Sequence, residues 1–416
     1  MNDRSSSSTW RLCTIQTLID ENFIIGHLDG NHGELYPTSE EFASEGVPYI
    51  SANNFESGEV DLRSCKKIPL SRAILFKKGI SKSGDVLFAH NATVGPVALL
   101  NCECEFVILS TTATYFRCNL DKLWNKYLLY SLQSQPFVRQ YSTIMGQSTR
   151  NQVPITAQRK LYVQIPSIVE QKAIAVVLGL VDAAIFKARE LIAQMELRKK
   201  GMLRQLLTGK KRLQGFHGHW QKRSYSALLK TVKRKSDWND EELYPLLSVR
   251  RRSGGCFLRE SLFGKQIQVK DLRTALEGDF LFSKMQIVHG ASALVTKEFS
   301  GTKISGSYIA VISNDSVVLD IRFFNLHSMT PRFYHQTYIS SFGVHIEKMT
   351  FDFDSFLSLE MLVPPLDEQK AIVEFIQLID REILLLKIKA EKLREEKKGL
   401  MQVILTGKTR LKEFRT

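Results

Sequence analysis

The amino-acid sequence contains the same segment twice, and this repeat constrains the fold more than any other feature. The run EQKAIAVVLGLVDAAI begins at Glu170, and the run EQKAIVEFIQLIDREI begins at Glu368. Residues 166–213 align with residues 364–411 without a gap, and 18 of these 48 positions are identical. Unrelated segments do not share so many residues, so the chain carries an internal duplication.

The apolar residues of both copies follow the spacing of a coiled coil. Their steps alternate between four and three residues, which places them along one seam of a helix. In the first copy the seam residues are Ile174, Leu178, Val181, Ile185, Ala188, Ile192, Met195, Met202 and Leu206. In the second copy they are Ile372, Ile376, Ile379, Ile383, Leu386, Ala390, Leu393, Leu400 and Ile404. The pattern predicts two helices of about 40 residues, each roughly 60 Å long.

Both copies also carry signals for the start and the end of a helix. Ser167 and Glu170 form an S-x-x-E capping box, whereas the second copy opens with two prolines and the acidic Asp367. Gly209 and Gly407 follow the last apolar turn, where glycine ends many helices. Each helix is therefore expected to stop at its glycine.

Helices this long with so narrow an apolar stripe need a partner along their length. We expect the two copies to pair antiparallel within the chain, as an intrachain coiled coil with one globular insert at each end. Packing of each helix into its own domain, or formation of a homodimer, would satisfy the same seam. Gly201 and Gly399 lie inside the helices, which indicates either a close backbone approach or a tolerated glycine near a frayed end.

Length and charge narrow the class of protein. A chain of 416 residues is too long for one ordinary core, so two or more domains are expected. The polar start MNDRSSSSTW lacks the apolar core of a signal peptide, and we expect a cytoplasmic protein. The six cysteines have no paired spacing, which favours reduced thiols over a metal site. The formal charge of +14 indicates a polyanionic partner such as DNA, RNA or an acidic membrane.

The segments around the two helices have the composition of mixed, strand-rich domains. Short β-type runs such as GDVLFAH and SYIAVIS alternate with glycine, asparagine and serine turns. The predicted division is a first domain at 1–162, a first long helix at 163–213, a linker at 214–219, a second domain at 220–362 and a second long helix at 363–416. We therefore predict an α+β fold with a pseudo-two-fold internal repeat: two strand-rich domains separated by two long antiparallel helices.

Exposed turns in both domains carry side chains suited to reading DNA bases. Asparagine, glutamine, arginine, lysine, serine and threonine are the side chains that recognise base edges. The candidate DNA-binding residues are His32, Asn53, Asn91, Thr93, Gln147, Ser148, Arg150, Asn151, Arg250, Arg251, Lys284, Gln286 and Lys303. For any single one of them, a solvated turn is the simpler interpretation.

Catalytic patterns are absent from the sequence. We find no phosphate-binding glycine loop, no dinucleotide fingerprint and no N/D-P-P-Y/F run of the kind that amino methyltransferases carry. Asp85 and Asp279 each follow a glycine and precede a buried-looking strand, where they are expected to cap turns. The sequence therefore predicts a binding module without catalytic residues or a metal site.

Together these motifs resemble the specificity subunit of type I restriction–modification enzymes. The residues that carry the resemblance are VPYISANNF, GDVLF and GQSTRNQVPI in the first domain, followed by IPSIVEQKAI, VPPLDEQKAI and the LTGKKRL-type helix ends. The second domain follows the pattern less well, since no GQST-like run precedes residue 352. The order of the motifs, with the helix motif present twice, makes the resemblance specific.

The resemblance implies functions that the residues alone do not show. Each domain would be a target recognition domain that reads one half of a bipartite double-stranded DNA site. The helices would set the spacing and dock two methylation subunits, with restriction subunits joining that core. The chain would bind no cofactor, since S-adenosylmethionine, ATP and Mg²⁺ would belong to the partner subunits. The residues that match the family's helix-start motif, and thus the candidates for subunit docking, are Glu170, Gln171, Lys172, Glu368, Gln369 and Lys370.

Two other functions are compatible with the same sequence. A coiled-coil scaffold could carry domains that bind proteins, in which case the positive charge would be incidental. A stand-alone nuclease or methyltransferase with an unrecognised site would also be basic. DNA affinity that falls steeply with salt and depends on sequence would exclude the scaffold. Lack of activity in the folded, DNA-binding chain would exclude the enzyme.

Overall fold

The computed structural model describes residues 10–146 and 151–414. The chain divides into two compact units: unit 1 comprises residues 1–189 and 388–416, and unit 2 comprises residues 190–387. Each unit contains one strand-rich domain together with a part of each long helix. In the described ranges, no helix combines the length and the apolar character needed to cross a membrane.

Unit 1 is built from short strands and a few helices. Its described strands are β1 (Arg11–Thr14), β2 (Ile24–Asp29), β3 (Val47–Ile50), β4 (Phe55–Glu56), β5 (Glu59–Val60), β6 (Lys66–Ile68), β7 (Ile80–Ser81), β8 (Val86–Asn91), β9 (Thr93–Leu99), β10 (Val107–Leu109), β11 (Ala113–Cys118) and β12 (Tyr162–Ile165). Its helices are α1 (Ile15–Asp20), α2 (Leu70–Ala73), α3 (Asn125–Gln133), α4 (Gln135–Gly146), α5 (Ile155–Gln158) and the first part of α6 (Ile168–Leu206). The strands form sheets of order β1-β12, β6-β3-β10-β7 and β2-β11-β8-β9-β5-β4.

Unit 2 has a corresponding set of elements. Its described strands are β13 (Gln221–Ser224), β14 (Leu229–Val232), β15 (Leu243–Val249), β16 (Cys256–Phe263), β17 (Leu272–Thr274), β18 (Phe280–Ser283), β19 (Ser292–Leu294), β20 (Lys303–Ser305), β21 (Tyr308–Ser313), β22 (Ser341–Phe342), β23 (Thr350–Phe351) and β24 (Glu360–Val363). Its helices are α7 (Tyr225–Leu228), α8 (Ile321–His327), α9 (Pro331–Ile339), α10 (Phe353–Leu357) and the first part of α11 (Leu366–Ile404). The sheets have the orders β13-β24, β16-β15-β20-β17, β14-β21-β18-β19 and β22-β23.

The two units share the order of their main strands. Sheet β6-β3-β10-β7 of unit 1 corresponds strand by strand to β16-β15-β20-β17 of unit 2, and β2-β11-β8-β9 corresponds to β14-β21-β18-β19. Both long helices have 39 residues, as the seam predicts. The predicted α+β class is therefore confirmed. The predicted domain bounds stay predictions, since the compact units divide each long helix between them.

In unit 1, the start of α6 packs against the end of α11. Ile174 and Leu178 of α6 belong to the same buried cluster as Ile404, with Leu400 packed beside it. Asp182 of α6 lies 2.7 Å from the ammonium of Lys397 of α11. Residue numbers rise along one helix while they fall along the other, so the two segments run antiparallel.

In unit 2, the end of α6 packs against the start of α11 in the same way. Met195 and Leu206 share a buried cluster with Ile372 and Ile379. The ammonium of Lys199 lies 2.5 Å from Asp380, whose position in the second copy matches that of Asp182 in the first. Pairing of the two copies within the chain is therefore confirmed in each unit.

The glycines of the helices behave in two different ways. Gly209 and Gly407 have φ angles of 68° and 69°, the left-handed conformation that ends a helix, as predicted. At Gly201 and Gly399, a Cβ would meet no described atom within 4 Å apart from the chain neighbours and the backbone of its own helix. Both glycines lie on exposed surface. The prediction that the two helices approach each other closely at these glycines is therefore wrong.

The aspartates of the two GD runs hold turns, as the sequence predicts. Asp85 accepts a hydrogen bond from the backbone N–H of Lys82, and Asp279 accepts one from that of Leu276. Each also receives two hydrogen bonds from an arginine of a neighbouring strand or segment, Arg117 for Asp85 and Arg234 for Asp279. These ion pairs, in which the carboxylate is buried and the guanidinium is partly exposed, connect the equivalent turns of the two units to their sheets.

Candidate nucleic-acid interface

Several predicted DNA-binding residues of unit 1 meet at one edge of its sheets. Strands β8 and β9 form a tight hairpin in which Asn91 lies opposite Thr93. The N–H of Ala92, at the tip, donates to the carbonyl oxygen of Asn151 at 3.0 Å. Asn91 also pairs with Gln152 in an isolated antiparallel β-bridge. Asn91, Thr93 and Asn151 are therefore brought together, although they lie up to 60 residues apart in the chain.

Asn53 reaches the same edge from a different sheet. It lies exposed in the 3₁₀ turn after β3. The N–H of the preceding Ala52 donates to the Thr112 hydroxyl at 2.9 Å, and the carbonyl oxygen of Thr112 accepts from the N–H of His90. We call residues 51–54, 91–93, 110–112 and 151–152 the first recognition edge. Gln147, Ser148 and Arg150 lie outside the described residues.

His32 does not belong to this edge, and its prediction as a DNA contact is wrong. Its ring is buried, it packs edge-on against Phe76 with 4.4 Å between ring centroids, and its Nε2 lies 2.6 Å from the Leu109 carbonyl oxygen. Burial also lowers the pKa of His32. A side chain enclosed in this way cannot reach a base edge.

In unit 2, the hairpin between β15 and β16 carries Arg250 and Arg251. Nε of Arg251 donates to Oε1 of Gln286 at 2.8 Å, and its Nη2 donates to Glu347 at the same distance. Lys284 follows β18 directly, and its carbonyl oxygen accepts from the N–H of Phe351. We call residues 250–253, 284–290 and 347 the second recognition edge.

The two recognition edges occupy equivalent places in their units. The N–H of Val153 donates to the carbonyl oxygen of His90, the last residue of GDVLFAH, in the manner that the N–H of Phe351 donates to that of Lys284, the matching residue of GDFLFSK. The residues just before Phe351 thus take the place that Asn151 and Gln152 take in unit 1, although no sequence similarity marks them. Lys303 lies elsewhere: it pairs with Leu246 and Thr274 inside a sheet, and its ammonium donates to the Thr274 hydroxyl. The structure does not bring Lys303 to the second recognition edge.

The helix-start motif has a structural role that sequence reasoning missed. The Glu170 side chain is 0% exposed and accepts hydrogen bonds from Arg410, at 2.7 and 3.0 Å, and from the indole N–H of Trp10. Its N–H donates to the Ser167 hydroxyl, so only one half of the predicted capping box forms. The carboxylate binds the far end of the other repeat instead.

The second copy repeats the same contacts with its own partners. The Glu368 carboxylate, also 0% exposed, accepts two hydrogen bonds from Arg212 and one from the indole N–H of Trp220. Arg212 and Arg410 are the matching arginines of the two LTGK-type runs. We call each set of tryptophan, glutamate and arginine a helix clasp.

The glutamines of the motif join each helix to its domain. Gln171 accepts from the N–H of Trp124 and donates to the carbonyl oxygens of Lys122 and Pro166. Gln369 makes the same three kinds of bond, to Asp320, Val318 and Pro364.

Buried side chains with satisfied hydrogen bonds cannot contact another subunit. The docking role predicted for Glu170, Gln171, Glu368 and Gln369 is therefore wrong. Lys172 and Lys370 are exposed, and their docking role stays a prediction.

Exposed apolar residues on the helices are stronger candidates for a docking surface. Leu180 is 67% exposed and its counterpart Leu378 is 62% exposed, while Phe186 and its counterpart Leu384 are 60% and 56% exposed. Leu180 lies two positions after the seam residue Leu178, about 200° further round the helix. The sequence could have indicated this surface, because a large apolar residue lies outside the seam at matching positions of the two repeats.

Comparisons with known proteins agree with this arrangement. Residues 25–196 match the family model described as the type I restriction modification DNA specificity domain. A Methanocaldococcus jannaschii protein, named provisionally as the type I restriction enzyme MjaX specificity subunit, is 26% identical over 353 residues, which is 79% of each chain.

Solved structures show the same fold over nearly the whole chain. One, from work on complex assembly and conformational transition of the type I R-M system, has a TM-score of 0.60 at 19% identity and covers 98% of this chain and 97% of its own. The HsdS subunit from Thermoanaerobacter tengcongensis has a TM-score of 0.52 at 16% identity, and the type I S subunit from M. genitalium has 0.53 at 13%. Each covers 96% of this chain and 97% of its own. The predicted relationship to specificity subunits is confirmed.

Proposed function

We propose that this chain is a specificity subunit of the type I restriction–modification family and serves as the DNA-recognition subunit of such a complex. One observation carries the proposal. Two units with the same strand order present different polar side chains at equivalent edges: asparagine and threonine in unit 1, arginine, lysine and glutamine in unit 2. Asparagine pairs with adenine edges and arginine with guanine edges. Each unit would thus read a different half of a bipartite site in double-stranded DNA.

The partner subunits would hold the catalytic chemistry. We expect two adenine-methylation subunits with S-adenosylmethionine, and restriction subunits that use ATP and Mg²⁺. The net charge of +14 would attract the DNA phosphates without sequence preference, which leaves base selection to the two edges.

The repeat of exposed apolar residues supports two equivalent docking surfaces. Leu180 and Phe186 belong to unit 1, and Leu378 and Leu384 belong to unit 2. Large exposed apolar residues that recur at matching positions are typical of interaction surfaces. Each unit would therefore bind one copy of the same methylation subunit.

Mapping of methylated adenines tests the recognition function. The chain is co-expressed with a cognate methylation subunit, and modified sites are read from the genome of the host. A double variant Asn91→Ala, Thr93→Ala should alter one half of the motif and leave the other half unchanged. Gln16→Ala is the control: Gln16 is a half-buried residue of α1 whose side chain bonds only to Asp20 of the same helix among the described contacts, so the motif should stay intact. A continuous motif, or a change in both halves, would contradict the proposal.

Partner stoichiometry tests the docking surfaces. Leu180→Asp and Leu378→Asp should each remove one methylation subunit from the complex, and the double variant should remove both, as measured by native mass spectrometry. Leu120→Asp, an exposed leucine after β11, introduces the same charge and should leave the stoichiometry unchanged. Full occupancy in the double variant would place the docking surface elsewhere.

A further inference from the structure

The tip of the β15–β16 hairpin has an unusual backbone conformation. Arg252 and Ser253 have φ angles of 57° and 52°, and the N–H of Gly254 donates to the carbonyl oxygen of Arg251 at 3.2 Å. Positive φ at both central residues defines a type I′ turn, which normally takes asparagine or glycine there. Arginine and serine are disfavoured in this conformation because their Cβ atoms crowd the backbone.

The surrounding structure fixes this disfavoured turn in place. The N–H of Arg252 donates to the carbonyl oxygen of His289 at 2.7 Å, and that of Ser253 donates to Gly290 at 2.8 Å. The hydroxyl groups of Ser253 and Tyr334 lie 2.9 Å apart. A strained turn that is held by several outside contacts is typical of a functional site rather than of a surface loop.

The three consecutive arginines at the hairpin tip differ in what their side chains contact. The guanidinium of Arg250 lies 4.3 Å from the centre of the Phe257 ring and donates to the Cys256 carbonyl oxygen. Arg251 is engaged by Gln286 and Glu347. Arg252 is exposed, and in the described ranges 10–146 and 151–414 its guanidinium has no hydrogen bond, ion pair or ring contact.

We propose that Arg252 is the specificity-determining residue of the second recognition edge and reads a guanine in the major groove. The proposal rests on the function proposed above. A bidentate contact with O6 and N7 of guanine uses the planar fork of arginine. The strained turn fixes the backbone of Arg252, and therefore the direction in which its side chain leaves the hairpin, while its guanidinium stays available for a base. A phosphate contact would carry no sequence information and would not need such a turn. Arg250 and Arg251 then support the hairpin instead of reading bases.

The test uses the full complex with its methylation subunits and a duplex that contains the mapped site. Arg252→Ala should weaken binding to this duplex by about 5- to 150-fold, the effect of losing one bidentate contact. It should also relax the motif at one position of one half-site, with the other half unchanged. Arg259→Ala removes another exposed arginine of the same hairpin, paired with Glu260, and should change neither property.

A second variant separates recognition from folding. The double change Arg252→Asn, Ser253→Gly supplies the residues that the turn prefers, so the melting temperature should stay equal or rise while the motif relaxes as in Arg252→Ala. Base reading is refuted if Arg252→Ala weakens binding equally for all DNA sequences and reduces the salt dependence of the affinity by the amount expected for about one phosphate contact. Unchanged affinity and motif would refute it as well. If the wild-type complex itself shows no bipartite motif, the proposed function fails, and not this assignment alone.

Discussion

The helix clasp of unit 2 gives a stability prediction that can be worked out from its contacts. The Glu368 carboxylate is fully buried and accepts hydrogen bonds from Arg212 at 2.5 and 2.6 Å and from Trp220 at 3.1 Å. Glu368→Gln keeps the shape of the side chain but removes its charge. It also turns one acceptor oxygen into an NH₂ group that faces donors.

The expected cost follows from the loss of one partner of a buried pair. Such a loss usually destabilises a protein by about 3–5 kcal/mol, because the other charge stays unpaired. Arg212 keeps 26% of its side chain exposed, so water partly replaces the lost carboxylate. We therefore expect unit 2 to lose about 2–4 kcal/mol of unfolding free energy. The double variant Arg212→Met, Glu368→Gln should lose less than the sum of the two single changes, because no charge is left unpaired.

Hydrogen exchange with mass spectrometry locates this effect in the chain. Peptides from residues 190–387 should lose protection in Glu368→Gln, and peptides from residues 10–146 should serve as an internal reference. The matched variant Glu170→Gln breaks the clasp of unit 1 and should reverse the pattern. A cost below about 1 kcal/mol for Glu368→Gln, or a loss of protection in unit 1, would refute the assigned role of the clasp.

Three further predictions concern the glycines, the buried histidines and the helix length. Gly407→Ala should cost about 1–2 kcal/mol in urea unfolding, because its φ is positive and Trp10 lies 3.3 Å from the new Cβ, whereas Gly201→Ala should be neutral or stabilising. Burial lowers the pKa of His27 to about 4 and that of His327 to about 3, so the unfolded chain takes up protons first as the pH falls below about 6.5. Each histidine should then remove about 1.4 kcal/mol of stability per pH unit until its folded pKa is reached, and His327→Asn should flatten this slope for unit 2. One added helical turn before Thr208 should lengthen α6 by about 5.4 Å and widen the gap of the methylated motif by one to two base pairs, and an unchanged gap would show that the helix does not set the spacing.

The local features of this fold could be predicted because they depend on neighbouring residues. Seam residues such as Ile174 and Ile372 recur with the helical period, and Gly209 has the left-handed conformation that a helix end favours. The duplication shows that both helices carry the same seam, which makes each a suitable partner for the other. Helix length and the glycine ends therefore followed from the sequence, whereas antiparallel pairing within the chain was the expected one of three arrangements that the seam allowed.

Only the tertiary structure decided which polar residues are buried and which are free. Glu170 has the sequence context of an exposed first turn, yet its carboxylate is enclosed because Arg410, 240 residues later, lies beside it. His32 and Arg252 both occur in polar, glycine-containing runs, but one is packed against an aromatic ring and the other stands at the tip of a hairpin. A polar side chain in a turn gives the same local pattern whether it is paired or exposed. Its environment comes from segments that are distant in the chain and that only folding brings together.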